Sequence, residues 1–349
     1  MIACLTGMCT EADRMAGWAK RLTAVASALS LSGCNEWQSA LVPGAREASD
    51  IKFIFLIFLG VAAFVWTAVM LALLVGLLRR KPQRPNPLAS NPRTEHSVGQ
   101  IVFALSVATT LIVLGLSVVS YFGQRSVFAK SADAPVIRVI GHQWWWEVHY
   151  EAEPDKTFIT ANEIRVPVGQ PVMVKLETRD VIHSFWVPSL TGKMDQINNQ
   201  ENQLQFTAVK PGVYRGQCAE FCGLQHAHMG FEVVALPREE FNAWRDNQRG
   251  PAKPPADPEA KRGAILFIGR GCALCHTITG TPANGKLGPD LTHLASRRTI
   301  AAATLPLTPG NLGGWISDPQ HVKPGNLMPP MPLQGSELNA IVRYLESLT

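Results

Sequence analysis

The segment Gln217-Cys218-Ala219-Glu220-Phe221-Cys222-Gly223-Leu224-Gln225-His226-Ala227-His228-Met229 decides how this sequence is read. Two thiols, an imidazole and a thioether fall close together between expected strands that end at Tyr214 and start at Phe231. Thiolate and thioether are soft ligands and imidazole suits copper, so the set favours copper over calcium or magnesium. Zinc prefers four thiolate or imidazole ligands in a closed tetrahedron, to which a methionine adds little. A disulfide in a loop and an apolar helix face through positions 218, 222 and 226 are the competing readings. Gly216 and Gly223 argue against the helix.

Around this segment, from about Ala134 to Ala235, short apolar runs are broken by Gly, Pro and Asn. Val136–Ile140, Glu163–Val166, Pro171–Leu176, Val181–Val187, Leu204–Thr207 and Phe231–Val234 read as strands, rich in β-branched and aromatic residues. Pro167-Val168-Gly169-Gln170 and Pro211-Gly212 supply turns. Several short strands at this spacing predict a β-sandwich or barrel.

Toward the N-terminus the chemistry changes. The chain has 349 residues, room for two or three domains, with 17% charged and 46% hydrophobic residues. Nearly all of the membrane signal lies between Ile51 and Phe122. No charged residue occurs from Phe53 to Leu78 or from Ile101 to Phe122, and each run exceeds the roughly 20 residues that cross a bilayer. The net charge is +5, and its clearest cluster is Arg79, Arg80, Lys81, Arg84 and Arg93 between the two runs. Such a cluster beside a span is a topology signal. No basic face of the kind that binds nucleic acid stands out, so nucleic acid is not an expected partner. The positive-inside rule places the loop in the cytoplasm, with the segment after Cys34 and everything after Phe122 in the periplasm. Trp18 to Cys34 reads as a secretory signal peptide: Lys20 and Arg21, an apolar run through Leu22, Val25 and Leu29, then Leu31-Ser32-Gly33-Cys34. Those last four residues resemble a bacterial lipobox, which makes Cys34 a lipidation site and the mature N-terminus. Met15 would be a more usual start than Met1, which would remove Cys4 and Cys9.

Toward the C-terminus, Gln248 to Asp257 is polar and proline-rich, a semi-rigid linker. Asp257-Pro258 then offers an N-cap and first helical position before an apolar run to Phe267. Cys272-Ala273-Leu274-Cys275-His276 is the C-x-x-C-H attachment signature of a c-type haem, with His276 as the proximal ligand. Gly288-Pro289-Asp290-Leu291 follows, then Lys323-Pro324-Gly325-Asn326-Leu327-Met328-Pro329-Pro330-Met331-Pro332. Ser336–Leu348 is amphipathic, with Leu338, Ile341, Val342 and Leu345 on one face. The whole resembles a small all-α cytochrome c, in which Pro289 would offer its carbonyl to the proximal imidazole. Met328 is the expected distal ligand and Met331 the alternative. His/Met ligation raises the haem potential, which suits a donor feeding copper.

The run Cys-x-Glu-x-Cys-x-x-x-His-x-x-Met resembles the CuA loop of cytochrome c oxidase subunit II. Two further motifs of that family stand in order upstream: Gly141-His142-Gln143-Trp144-Trp145-Trp146 and His183-Ser184-Phe185-Trp186-Val187-Pro188. The resemblance implies that Cys218 and Cys222 bridge two copper ions and that His183 and His226 each bind one. Met229 and the Glu220 backbone carbonyl would be weak axial ligands, and the Glu220 side chain would face a magnesium or manganese ion at the subunit I interface. Trp144 would be the residue through which electrons reach copper, whereas Trp145 or Trp146 would be packing, and His228 a surface or neighbouring residue rather than a ligand. In the periplasm, loading copper onto Cys218 and Cys222 is expected to need a reductant and a copper chaperone.

One departure concerns proton uptake. The family's glutamate near the start of the second span is absent, leaving Gln100 as the nearest match and Glu95 as a substitute. The expected architecture is a signal peptide over 1–33, an N-terminal segment and transmembrane hairpin over 34–123, and an all-β cupredoxin-like domain over 134–246. A linker over 247–257 and an all-α cytochrome c domain over 258–349 complete it. The expected cofactors are two copper ions, one covalent haem c and the interface Mg/Mn. The expected partners are subunits I and III and a periplasmic cytochrome c donor, in the bacterial inner membrane. Oxygen reduction would occur in subunit I, with no catalytic residue in this chain. A CuA-type subunit of a nitric-oxide reductase or a stand-alone anchored electron carrier are the alternatives.

Overall fold

The two uncharged runs form helices longer than the runs themselves: α1 (Arg46–Leu78) and α2 (Pro92–Val127). The computed structural model describes residues 38–79, 92–128, 131, 133–151 and 157–349. The signal segment with Cys4, Cys9, Met15 and Cys34 lies outside the described residues, as do Arg80, Lys81 and Arg84 of the basic loop. Apolar side chains project from all sides of α1, Phe53, Phe64, Trp66 and Leu78 among them. A helix apolar all round matches a membrane interior rather than a soluble core. The helices pack on each other where Gly123 leaves room for Ile54. Glu95 and Gln100 both lie near the start of α2.

The start of α1 is fastened to the next domain. Gly44 N donates to the Ser189 carbonyl (2.7 Å) and Val209 N to the Gly44 carbonyl (2.8 Å). Buried Glu47 accepts from the Thr207 amide at 2.9 Å. Membrane anchor and soluble domain are therefore joined by backbone pairing, not only by a tether.

That domain is a sandwich of two five-stranded sheets. One has the order β3 (Phe158–Ala161), β2 (Trp145–Tyr150), β1 (Val136–His142), β5 (Val172–Thr178), β8 (Asn202–Phe206). The other has the order β4 (Glu163–Pro167), β10 (Gly230–Leu236), β9 (Gly212–Cys218), β6 (His183–Trp186), β7 (Met194–Gln196). Pairs β1–β5 and β4–β10 are parallel, a feature that requires crossovers between the sheets. Alternate residues point inward and close on Trp146, Phe185, Phe206 and Phe231, all fully buried. The Trp146 ring meets Phe231 edge-on at 5.1 Å, and Phe231 meets Phe185 at 4.7 Å. Gly216 on β9 makes space for Phe231, since a Cβ there would lie 2.2 Å from the ring. Strands β2, β3 and β7 add to those expected from sequence, the expected strand ending at Tyr214 runs on to Cys218, and the expected strand at 181–187 shortens to His183–Trp186.

Helix α3 (Arg238–Gln248) follows and lays Trp244 against Tyr150 and Phe158. The C-terminal domain contains α4 (Pro258–Gly269), α5 (Pro309–Ser317), the short α6 (Pro319–Val322) and α7 (Gly335–Glu346), with a two-residue ladder β11 (Thr299–Ile300) and β12 (Leu305–Pro306). Asp257 caps α4 by accepting from Ala260 N at 3.0 Å, with Pro258 at the first helical position. Helices α4 and α7 cross at Gly263, where a Cβ would lie 1.9 Å from the Ala340 carbonyl oxygen. The close crossing buries Phe267, Ile341, Tyr344 and Leu345 together.

Candidate metal centre and haem site

Strand β9 ends at Cys218, the loop carries Cys222 and His226 past the end of the sandwich, and β10 begins just after Met229. His183 enters from the neighbouring strand β6, whose Phe185 pairs with Cys218. The ligand-bearing atoms converge. Cys218 Sγ lies 3.7 Å from Cys222 Sγ, 3.8 Å from His183 Nδ1 and 3.2 Å from the Glu220 carbonyl oxygen. Cys222 Sγ lies 3.7 Å from His226 Nδ1 and 3.7 Å from Met229 Sδ. Both cysteines are free thiols. His183 and Met229 have no exposed surface, and Cys218 and Cys222 are buried. His228 stays outside this cluster, on the surface, with its Nδ1 2.8 Å from Gln225 Oε1.

The electrostatics of the pair bear on what it holds. Cys218 is drawn well below the ordinary thiol range, chiefly by its hydrogen-bonding contact with Cys222 and further by His183 and by backbone groups at Glu220 and Ser184. Cys222 is pushed far above the ordinary thiol range, because a second thiolate would sit against the first in a buried place. Two thiolates are stable together here only with cations between them. Soft sulfur, two imidazoles and a thioether fit copper.

Neighbours fix these side chains in place. Asp180 Oδ1 lies 2.8 Å from His183 Nε2, so with Nε2 donating, Nδ1 keeps its lone pair toward the sulfurs. Burial lowers the His183 basicity, but Asp180 and Cys218 raise it past its ordinary value. Asp180 itself accepts from Gln143 N at 2.7 Å. The Cys222 carbonyl accepts from Gln143 Nε2 (2.7 Å) and from the indole Nε1 of Trp144 (2.9 Å). Gly223 adopts φ +112 beneath them, and a Cβ there would crowd both side chains at 3.1 Å. Trp146 packs in the core beside His183 and donates to the Met229 carbonyl at 3.4 Å. Asp180 and Gln143 were not singled out from sequence. The only signal for Asp180 is a carboxylate three residues before a ligand histidine, in a turn.

In the C-terminal domain, Gly271 at φ +83 starts the turn that carries Cys272, Cys275 and His276. His276 Nδ1 lies 2.8 Å from the Pro289 carbonyl, which leaves Nε2 for iron. Burial lowers the basicity of this imidazole, in keeping with a neutral ligand. Gly288 gives it room, since a Cβ would lie 2.7 Å from His276 Cε1. Met328 is half-buried; its amide donates to Asn326 Oδ1 (2.8 Å) and its carbonyl accepts from Gln320 Nε2 (3.0 Å). Met331, also half-buried, has its carbonyl taken by Leu333 N at 2.8 Å. Two cysteines, an oriented imidazole and a downstream thioether are the donors a c-type haem needs.

Residues 154–236 match the family described as cytochrome c oxidase subunit II, periplasmic domain, and residues 260–349 match cytochrome c. The cytochrome c oxidase subunit 2 of Alkalihalophilus pseudofirmus is 32% identical over 327 residues, 92% of this chain and 94% of its own length. The chain belongs to the cytochrome c oxidase subunit II family. Its subunit 2 relative from Bacillus sp. (strain PS3) is 33% identical over 287 residues, 77% of this chain and 79% of that one. Among solved structures, the periplasmic domain of subunit II of the Bradyrhizobium japonicum cytochrome oxidase is 29% identical, covering 35% of this chain and 96% of that domain with a TM-score of 0.32. Membership of the subunit II family implies a CuA copper site in the sandwich, a haem in the cytochrome domain, and association with subunit I of a haem–copper oxidase.

Proposed function

We propose that this chain is the electron-transfer subunit II of a respiratory cytochrome c oxidase, serving subunit I, where oxygen is reduced and protons are translocated. The observation that carries this reading is the buried convergence of Cys218, Cys222, His183, His226, Met229 and the Glu220 carbonyl at the end of the sandwich. Cys218 and Cys222 would bridge two copper ions, His183 and His226 would each bind one, and Met229 and Glu220 would complete them. Cys272 and Cys275 would attach one haem c, held by His276 and Met328. When bound, these groups supply reversible one-electron carriage.

The chain's own residues keep that carriage efficient. Asp180 and Gln143 hold His183 and the Cys222 backbone still, so little reorganises as charge comes and goes. Trp144, hydrogen-bonded to Cys222, is the contact through which electrons would reach the copper ligands. Met328 is preferred over Met331 because Asn326 and Gln320 fix its backbone at both its amide and its carbonyl. The half-exposed Glu220 side chain would face a magnesium or manganese ion at subunit I. The chain would sit in a bacterial inner membrane with both soluble domains in the periplasm, its mature start at lipidated Cys34, beside subunits I and III and a periplasmic cytochrome donor.

The test is the complex purified from native membranes, assayed for copper, covalent haem and oxygen consumption, beside a Cys218→Ser/Cys222→Ser variant. The expected result is a mixed-valence copper EPR signal and oxygen turnover, both lost in the variant, with the cytochrome still reducible. Normal oxygen consumption in that variant, or consumption of nitric oxide but not oxygen, would overturn the proposal.

A further inference from the structure

The proline-rich linker does not leave the cytochrome domain on a loose tether. Gln248 Nε2 donates to Ser296 Oγ at 3.2 Å, Ala252 N donates to the Thr279 carbonyl at 2.9 Å, and His293 Nε2 lies 3.0 Å from the Gly250 carbonyl. The linker thus lies along the domain that follows it.

The face that this domain presents to the sandwich is unusual in its backbone. Ala301, Ala302 and Ala303, between β11 and β12, have φ of 53, 57 and 55 in succession. Left-handed conformation is unfavourable for alanine, and three in a row persist only when their surroundings hold them. Here each of the three carbonyls has a donor. Ala302 accepts from Gly230 N (3.1 Å) and Ala303 from Arg215 Nη1 (2.9 Å), both in the sandwich. Ala301 accepts from Lys323 Nζ at 3.4 Å. That same Lys323 amine, 3% exposed, reaches out of the cytochrome domain to donate to the Trp144 carbonyl at 2.8 Å. Beside it, Gln225 of the copper loop donates to the Pro324 carbonyl at 2.6 Å.

The sandwich in turn has a feature that only the cytochrome domain completes. Glu163 on β4 and Glu232 on β10 are register neighbours, both buried. Like charges side by side are destabilising when buried without partners. Arg165 reaches Glu163 at 2.8 Å from the same strand. The rest of the compensation comes across the interface, where Arg298 gives its amide to Glu163 (2.8 Å) and its guanidinium to Glu232 (3.2 Å). Trp144 ends up 8% exposed.

We infer that Lys323 is a positioning residue which, with the Ala301–Ala303 turn and Arg298, keeps the cytochrome domain docked over Trp144, so that Trp144 is closed to a donor from outside and electrons reach the copper ligands by way of the chain's own cytochrome domain. The inference rests on the proposed electron-transfer reading, but docking is measurable without it.

The test uses the loaded complex and follows hydrogen exchange at Gly230, whose amide donates across the interface to Ala302. Protection comparable to that of the neighbouring β10 amides is expected in the unmodified chain. In Lys323→Met and, separately, Arg298→Gln, exchange at Gly230 should rise about tenfold as the docked fraction falls. Internal electron transfer from haem to copper after a light flash should slow by about the same factor. The haem spectrum, the copper EPR signal and the rate of haem reduction by a soluble donor should stay unchanged, which a general loss of structure would not allow. Lys323→Arg, which keeps a donor, should recover part of the rate. Unprotected Gly230 in the unmodified chain would overturn the docking. Faster exchange at Gly230 with unchanged internal transfer would overturn the role given to Lys323. Absence of the copper signal in the unmodified chain would instead overturn the electron-transfer reading.

Discussion

In the sandwich, the two cysteine sulfurs assigned to copper lie 3.7 Å apart, and each of the other four groups lies within 3.8 Å of one of them. In the cytochrome domain the groups assigned to haem come from two separate segments, one turn with Cys272, Cys275 and His276 and another with Met328, and Cys272 and Cys275 are only half-buried. The contrast follows from the size of what is held. A metal ion needs donors converging on a point, so the strands and loop can prearrange them around a packed core. A haem is a plane with ligands on both sides, so the chain supplies separate pieces and the group itself joins them. Of the groups assigned to copper, Cys218, Cys222, His183 and Met229 are therefore buried residues in their own right, whereas Cys272, Cys275, His276 and Met328 are only half-buried.

The sharpest way to break this comparison is to remove one group from each side. Cys222→Ser should abolish the copper signal while covalent haem stays stoichiometric. Cys275→Ala together with His276→Ala should leave the copper signal intact while the cytochrome domain loses its haem and its cooperative melt. Copper content, haem content and calorimetry check both arms. Loss of copper in the haem variant would mean that the two sites are assembled together and not independently.

Next in size are two glycines that set the packing of each region. Gly263→Ala places a Cβ 1.9 Å from a backbone oxygen of α7, and relief requires the two helices to separate. Gly216→Ala meets the Phe231 ring at 2.2 Å, where a side chain inside the core must move. Overpacking of this kind costs about 3 kcal/mol. For domains of this size that lowers Tm by roughly 10 °C or more. Each substitution should lower the melting transition of its own domain; a shift of both together would mean the interface couples them.

What was legible in the sequence follows the same division. The long apolar helices could be read because runs without charge have no other comfortable place, and the residues that converge at the end of the sandwich because soft donors at that spacing are a rare pattern. Strand β2 was hidden because Trp144-Trp145-Trp146 drew attention as an aromatic motif, although Trp146, Val148 and Tyr150 alternate inward with Trp145, Glu147 and His149 outward. The strand expected to end at Tyr214 runs on to Cys218 as β9, an extension hidden because Gly216 weakens the β signal, and the reason for Gly216 is the Phe231 ring on a neighbouring strand. Lys323 stood in the sequence only as the first residue of the run that leads to Met328. Its partner, Trp144, lies 179 residues away, a distance that no local pattern spans.

The two methionines sharpen the contrast at smaller cost. Met229 has no exposed surface and its sulfur faces Cys222, so Met229→Leu conserves volume and should change stability by less than about 1.5 kcal/mol. The copper EPR spectrum and potential should nevertheless shift, because the thioether tunes the metal. Met328→Leu should instead remove the distal haem ligand and change the reduced haem spectrum, whereas Met331→Leu should leave it unaltered. The reverse outcome would move the ligand role to Met331.

The smallest effect separates the regions by acid. On the outer face of the sandwich, Glu147 lies between His142, whose Nε2 is 3.0 Å from one oxygen, and His149, which meets the other. Burial opposes ionisation of Glu147, but the hydrogen bonds from both histidines outweigh it and hold the carboxyl well below the usual carboxylate range. A carboxyl lowered on folding contributes stability that is full above its unfolded value near 4.5 and is lost as pH falls toward the folded one. Glu147→Gln should therefore destabilise the sandwich by about 1 kcal/mol near neutral pH, and the gap between variant and unmodified chain should close as the pH drops below 4.5. The cytochrome transition should not respond to the substitution at any pH. A gap that persists unchanged into acid would show that the histidine–carboxylate cluster contributes through packing and not through charge.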